Sequence, residues 1–309
     1  MSDYASAADH ARRIGASVAR LEMRAAQSPG DRALHVNLAA KNKLLRRARH
    51  ELEGIAEHQG VELCNYRLIP RRDERLILPH ISNSLLQYQY VFSQIYDGLR
   101  NGAKRNAVIG NDAWHESVLQ IGYTYSGSFG TVLMAPSKRD FFEGSFDRTV
   151  EAVDQLLNIR DEYEVRDIAK TLGEAVIKRL HDWSAANVAG NFDADVRWRR
   201  SDGRQFGRLI NYEDMARIVM LISATSDEER TPIETSGILV GADVQTRSFH
   251  FVEPNGSAYR GSLADGFPTG AVLEVPGSYR ASITRISTIK YASGRESERF
   301  ELDQLFSRE

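Results

Sequence analysis

Two aspartates, Asp193 and Asp195, have the residue type and spacing in this chain that best suit metal binding and catalysis. They stand two residues apart in a segment typical of a strand, so both side chains are expected on the same face of a sheet. Paired carboxylates can bind Mg²⁺ and activate water for phosphoryl chemistry. A nuclease normally needs a third acid or a lysine close by, and the sequence places neither. A metal-dependent nuclease or hydrolase centred on this pair therefore stands as one alternative.

A cluster of basic residues follows directly after these aspartates. Such clusters with interleaved aromatic side chains are typical of nucleic-acid-binding surfaces, because arginines contact phosphates and aromatic rings stack on bases. The same composition also suits a protein interface or a solvated face of ion pairs. A second basic group, Arg46, Arg47 and Arg49, lies in a predicted helix. The residues predicted to bind nucleic acid or a protein partner are Arg197, Trp198, Arg199, Arg200 and Arg204.

The histidines and the single cysteine do not form a recognisable catalytic or metal-binding motif. His80 and His115 are candidates for proton transfer near neutral pH, but no histidine has the spacing of a metal ligand. Cys64 lies in a predicted strand and is expected to be a small buried core residue. We therefore predict no metal site and no cofactor.

Composition excludes some classes of protein. The formal net charge of −2 provides no bulk attraction to DNA or to a membrane surface. No apolar run approaches the roughly 18 residues that a membrane-spanning helix needs. A single cysteine cannot form a disulfide framework within the chain, which favours the cytoplasm. We therefore expect a cytoplasmic protein that does not enter a membrane.

Residues 1–60 are predicted to form a helical hairpin. Ile14, Val18 and Leu21 recur at helical spacing, and a break at Pro29-Gly30 precedes a second periodic segment. The apolar stripe is thin and rich in alanine, so the hairpin should pack against the rest of the chain or against a second copy. A protein partner or self-association is therefore expected.

Residues 61–230 are predicted to form an α+β domain. Its expected elements follow the order β-α-β-β-α-α-β-α, which favours a mixed or antiparallel sheet with helices on one side. A single helix is expected over 164–189, His115 is expected in a loop, and the polar segment 225–232 is expected to be a linker.

Residues 231–309 are predicted to form a small β-barrel. Short alternating segments are separated by turn residues, and about five strands in this length suit an SH3-like or OB-like barrel, which leaves few exposed edges. The fold class expected for the whole chain is α+β.

Several segments carry a resemblance to known proteins. Residues 237–243, 248–251, 259–261 and 279–291 resemble a small C-terminal barrel that recurs in uncharacterised bacterial proteins, and 85–99, 119–125 and 127–130 resemble the α/β domain that often precedes it. The N-terminal hairpin departs from this pattern. The resemblance implies a component of a mobile or conflict locus, such as an antiviral-defence system, and it implies no catalytic residues.

We therefore expect a non-catalytic binding or regulatory protein that acts with a separate effector. A nucleic-acid-binding module and the metal-dependent nuclease or hydrolase are the alternatives.

Overall fold

The computed structural model describes residues 2–59, 61–71, 75–125, 129–135, 145–200, 203–268, 270 and 273–307. Within these residues the protein is mixed α+β, with eight helices and two sheets, one of which closes into a small barrel. The chain divides into two compact units, Met1–Ala224 and Thr225–Glu309. The hairpin turn predicted at residues 126–128 lies outside the described residues.

The first unit contains all eight of the described helices and one sheet. Its elements in chain order are α1 (Ser2–Gln27), α2 (Arg32–Gln59), β1 (Glu62–Pro70), α3 (Leu78–Asn101), α4 (Asn111–Ser117), β2 (Gln120–Tyr125), β3 (Phe129–Ala135), α5 (Ser145–Leu157), α6 (Glu162–Leu172), α7 (Glu174–Ala189), β4 (Phe192–Arg199), β5 (Gln205–Ile210) and α8 (Tyr212–Ala224).

The sheet of the first unit has the strand order β2-β3-β1-β4-β5. Every neighbouring pair of strands runs antiparallel. Of the two arrangements expected for this sheet, mixed and antiparallel, the structure has the antiparallel one. Period-two alternation along β1 sends Cys64, Tyr66 and Leu68 to one face, where all three are fully buried. Asn65 and Arg67 lie on the opposite face.

The buried face carries large aromatic side chains whose polar atoms are paired. Trp198 donates from Nε1 to the hydroxyl of Tyr88 at 2.7 Å, and Trp183 donates to the hydroxyl of Tyr66 at 2.8 Å. These pairings remove the cost of burying N–H and O–H groups among apolar atoms. Cys64 is buried beside Tyr88, which confirms it as a core residue, and burial raises the pKa of its thiol well above the usual range.

The N-terminal helices cover part of the second face of the sheet. Tyr4 of α1 and Leu52 of α2 pack against Leu63, Tyr123 and Val132 of the three strands nearest to them. The hairpin therefore packs against the rest of the chain, which is one of the two arrangements expected for it, and it adds helices to a second face of the sheet. The apolar core of the hairpin packs on strands β1 to β3.

The helical segment expected over 164–189 is two helices, because Gly173 interrupts it. Gly173 has φ of +102°, a value that side chains rarely adopt. A Cβ at this position would also collide with the backbone N and O of Lys104. Two further elements were missed: β5, and the short helix α4, which contains His115 in place of the expected loop.

Gly173→Ala is expected to lower the free energy of unfolding by about 2 kcal/mol, because the left-handed backbone and the collision with Lys104 are both unfavourable. Urea denaturation of the full chain measures the change. Gly30→Ala is the matched control, because a Cβ at Gly30 meets nothing within 4 Å. An equal stability of the two variants would contradict the assignment of Gly173 as a required glycine.

The second unit is a closed five-stranded barrel with the order β10-β8-β7-β6-β9. Four of its five pairings are antiparallel, and the short pairing of β8 with β10 is parallel. Phe251, Ile283 and Leu302 are fully buried in its core. Its strands are β6 (Ser226–Asp243), β7 (Ser248–Val252), β8 (Ala258–Leu263), β9 (Gly277–Lys290) and β10 (Arg295–Ser307).

The expected linker at 225–232 is wrong, because residues from Ser226 onward begin strand β6 and pair with β9. The polar composition of this segment reflects cross-strand ion pairs. Arg230 lies 3.5 Å from Glu301 of β10, and Glu228 lies 3.2 Å from Arg299. A strand whose exposed side chains pair in this way lacks the apolar alternation by which strands are recognised in a sequence.

None of the helices in the described part of the chain combines the length and the apolar character needed to cross a membrane.

Candidate functional site

Exposed polar side chains lie on the second face of the sheet, beyond the helical hairpin. In the pairing of β1, β4 and β5, Arg67 lies opposite Asp195 and Asp195 opposite Leu209. One step along the strands, Asn65 lies opposite Arg197. We use the term open face for the residues Asn65, Arg67, Asp195, Arg197, Arg199 and Leu209.

The open face combines charged and apolar groups at the surface. The Arg197 side chain is 60% exposed, and Leu209 is 44% exposed. Neighbouring carboxylates fix the arginines: Arg197 donates from Nε to Asp195 at 2.7 Å, and Arg199 donates to Glu53 of α2 at 2.8 Å. Exposed ion pairs add little to stability, so their main consequence here is to orient the two guanidinium groups.

A small pocket lies where the open face meets α2. It encloses about 30 Å³, which is far below the volume that a drug-sized ligand needs. Apolar side chains of the hairpin core and the sheet contribute to its lining, and polar groups come from both α2 and the sheet. The lining residues are Arg49, Leu52, Glu53, Leu63, Asn65, Tyr123, Val132, Arg197 and Arg199.

The structure separates the five residues predicted to bind nucleic acid or a partner. Arg197 and Arg199 lie together on the open face and line the pocket. Trp198 points to the opposite face, where it is 1% exposed and stacks on Phe92 with ring centroids 5.0 Å apart. Strand alternation requires this separation.

The other two predicted residues lie against helix α5. Arg200 has a side chain only 8% exposed and forms ion pairs with Asp147 at 2.5 Å and Glu151 at 3.0 Å. Arg204 lies 3.9 Å from the same Glu151. These contacts place both arginines beside α5, whereas Arg197 and Arg199 lie on the open face.

Arg49 is one of the residues that sequence reasoning omitted from the site. It was recognised as a member of a basic group on the second helix but was not joined to Arg197 and Arg199. The pairing of Glu53, one turn further along α2, with Arg199 brings the two segments together. No local signal in the sequence specifies this contact, because it joins residues separated by 146 positions.

Asp193 and Asp195 lie on the same face of β4, as their spacing predicts, but both carboxylates have structural partners. Asp193 accepts a hydrogen bond from the backbone N–H of Tyr212 at 2.8 Å, at the first turn of α8. Asp195 pairs with Arg197. No group of three His, Cys, Asp or Glu side chains that could hold a metal ion occurs among the residues searched, which are those the structure describes.

The two candidate histidines lie on helices of the first unit. His80 is half-buried near the beginning of α3, and His115 is exposed on α4. The acid beside His115 is already engaged, because Glu116 accepts from the hydroxyl of Tyr96 at 2.7 Å and pairs with Arg100. Neither histidine contributes to the pocket beside the open face.

Comparison with known proteins finds no family model, no curated protein and no solved structure that matches this chain.

Proposed function

We propose that the protein is a non-catalytic binding or regulatory protein, and that its open face binds a partner with anionic groups. The observation that carries this proposal is the convergence of Arg49, Arg197 and Arg199 on one pocket at the edge of an exposed sheet surface. The partner would be a separate effector, as in a bacterial antiviral-defence or other conflict system.

The composition of the open face supports recognition of a partner. Arginine is enriched in protein interfaces, and pre-oriented side chains reduce the entropy lost when a complex forms. Asp195 and Glu53 provide that orientation for Arg197 and Arg199. Leu209 supplies exposed apolar area next to these charges, which suits an interface with a hydrophobic centre and a polar rim.

Site-specific photocrosslinking tests this proposal. A benzophenone side chain replacing Leu209 should give a covalent adduct with one partner when the full chain is expressed in its host. The matched control replaces Tyr163, which is 78% exposed on α6 and lies outside the open face. Adducts that are the same from both positions, or a purified chain that turns over a substrate by itself, would contradict the proposal.

A nucleic-acid-binding module is the second candidate. Its support comes from the arginines of the open face and from the barrel, which we propose to be OB-like because one strand pair, β8 with β10, is parallel. OB-like barrels commonly bind oligonucleotides. Two of the barrel's aromatic residues, Phe249 and Phe251, are buried in its core and are therefore not available for stacking on bases, whereas Phe306 of β10 is 47% exposed.

If the second candidate is correct, single-stranded DNA or RNA should bind with a steep dependence on salt. Three arginines contacting phosphates predict a slope of about −2 for log affinity against log salt concentration. Fluorescence anisotropy with labelled single- and double-stranded oligonucleotides measures this slope. The absence of binding at low salt would reject the candidate.

A further inference from the structure

We infer that the helical hairpin carries a second binding surface, which binds the phosphate backbone of duplex nucleic acid. We use the term arm for residues 9–51, which lie between Ala8 of α1 and Leu52 of α2, the two residues nearest to them that belong to the core shared with the sheet. The inference goes beyond the proposed function, and the side chains that carry it are not those of the open face.

The arm is strongly basic in a chain that is slightly acidic. It contains ten lysines and arginines but only four aspartates and glutamates, which is a net charge of +6. Since the whole chain has a formal net charge of −2, all other residues together carry −8. Such an asymmetry of charge within one chain is typical of a segment that binds a polyanion such as nucleic acid.

The acids of the arm do not neutralise its cations. Asp9 pairs with Arg12 at 2.8 Å, and Asp31 accepts a hydrogen bond from the backbone N–H of Leu34 at the start of α2. The charges of the other cations are therefore available to an external anion. The basic side chains of the arm that form no ion pair with any residue the structure describes are Arg13, Arg20, Arg24, Arg32, Lys41, Lys43, Arg46 and Arg47.

On α2, three of these cations share the outward face of the helix. Lys43, Arg46 and Arg47 are all exposed, and positions three and four residues apart lie on the same side of a helix. Leu45 is buried on the opposite side, where its Cδ1 would lie 3.8 Å from a Cβ at Gly15 of α1. The side of α2 that faces away from α1 is therefore a basic surface.

The outward face of α1 is basic as well. Arg13, Arg20 and Arg24 are exposed and follow one another at intervals of seven and four residues, which places them on one side of the helix. Arg20 with Arg24, and Lys43 with Arg47 on α2, are pairs of like charge four residues apart, and such pairs destabilise a helix. A polyanion bound along the arm relieves this repulsion.

The length and composition of the arm favour a duplex over a single strand. With a rise of 1.5 Å per residue each helix of the arm is about 30 Å long, which is the length of about nine base pairs. The arm contains no phenylalanine, tyrosine or tryptophan, so it lacks the rings on which the bases of a single strand stack. Phosphate contacts alone suit a duplex and are independent of its sequence.

Fluorescence anisotropy of the full chain with a labelled duplex of about 20 base pairs, twice the length of the arm, tests the inference. Six exposed cations on the two outward faces predict a slope of about −5 for log affinity against log salt concentration. DNA and RNA duplexes of the same sequence identify the natural ligand by the tighter binding. Binding of either duplex supports the inference if it depends on the arm.

The double variant Lys43→Ala, Arg47→Ala measures that dependence. It should reduce the slope by about 2 and weaken binding at least tenfold at low salt. The matched control is Arg166→Ala, Lys170→Ala, which removes two cations that are also four residues apart, on the surface of α6. It should bind as the unmodified protein does, and both double variants should keep their urea midpoint because the four side chains are at the surface.

Three results would overturn the inference. The first is the absence of binding to either duplex at low salt and about 100 μM protein, the upper end of non-specific affinities. The second is an equal loss in both double variants, which would reflect net charge alone. The third is poly-glutamate binding as tightly as the duplexes, which would indicate an acidic protein as the partner.

The outcomes also separate the arm from the open face. Duplex binding that is lost in Arg197→Ala, Arg199→Ala but kept in Lys43→Ala, Arg47→Ala would overturn this inference and support the nucleic-acid-binding module of the open face. A specific adduct from position 209 without duplex binding would overturn this inference and leave the proposed function intact.

Discussion

Trp198→Ala is expected to lower the free energy of unfolding by about 4 kcal/mol, in the range found for truncating a buried aromatic side chain. The substitution removes the stacking on Phe92 and leaves the hydroxyl of Tyr88 without its indole donor. Urea denaturation followed by circular dichroism measures this change.

Two comparison variants make the prediction for Trp198 specific. Trp198→Phe keeps a ring against Phe92 and should lose less, because only the hydrogen bond and part of the volume disappear. Leu209→Ala on the neighbouring strand should change stability by less than about 1 kcal/mol, since Leu209 is 44% exposed. If Trp198→Ala costs no more than Leu209→Ala, then Trp198 is not a core residue.

Asp97→Asn is expected to destabilise the protein by about 3 kcal/mol, because a buried carboxylate with several partners is lost. Asp97 is fully buried on α3. It accepts hydrogen bonds from the side chain of Asn101 at 2.6 Å and from the backbone N–H of Gly110 at 2.9 Å, and it pairs with the ammonium of Lys104. These contacts fix the loop that connects α3 to α4.

The contribution of Asp97 should also depend on pH. Burial by itself would raise the pKa of Asp97, but the hydrogen bonds from Lys104, Asn101 and Gly110 outweigh it and lower the pKa. A lowered native pKa stabilises the fold fully above about pH 5, and this stabilisation is lost as the pH falls through the native pKa. The difference between the unmodified protein and Asp97→Asn should therefore shrink in acid.

Asp112→Asn provides the control for Asp97. Asp112 is an exposed acid in the first turn of α4, and its replacement should change stability by less than about 0.5 kcal/mol at any of these pH values. Urea midpoints measured at neutral and acidic pH for both variants test the account. A difference for Asp97→Asn that is constant with pH would contradict it.

Alternation along strands was the most informative property of the sequence. Period two correctly predicts that Asp193 and Asp195 lie on one face of β4. The same rule places Trp198 on the face opposite to Arg197 and Arg199, so the grouping of these three residues in one binding set ignored a signal that the sequence contained. The strand itself was predicted correctly, but its alternation was not applied to the residues predicted to bind a partner.

The elements that sequence reasoning missed depend on contacts between distant residues. Residues 226–232 form part of β6 because their backbone pairs with β9 and their charged side chains pair with β10, which a local pattern cannot reveal. Gly173 ends a helix because the backbone of Lys104 occupies the space of a Cβ. The pocket likewise requires α2 to meet β4, and only the folded sheet brings Arg49 to Arg197.

The central claim is that the open face binds an anionic partner through Arg197 and Arg199. It is tested most directly by measuring the affinity for the partner that is crosslinked by benzophenone at position 209. We expect the double variant Arg197→Ala, Arg199→Ala to bind this partner about 100-fold more weakly than the unmodified protein, since two interface arginines contribute about 3 kcal/mol together. Arg166→Ala, which replaces an exposed arginine paired with Glu162 on α6, should bind with unchanged affinity. Equal affinity of all three proteins would contradict the claim.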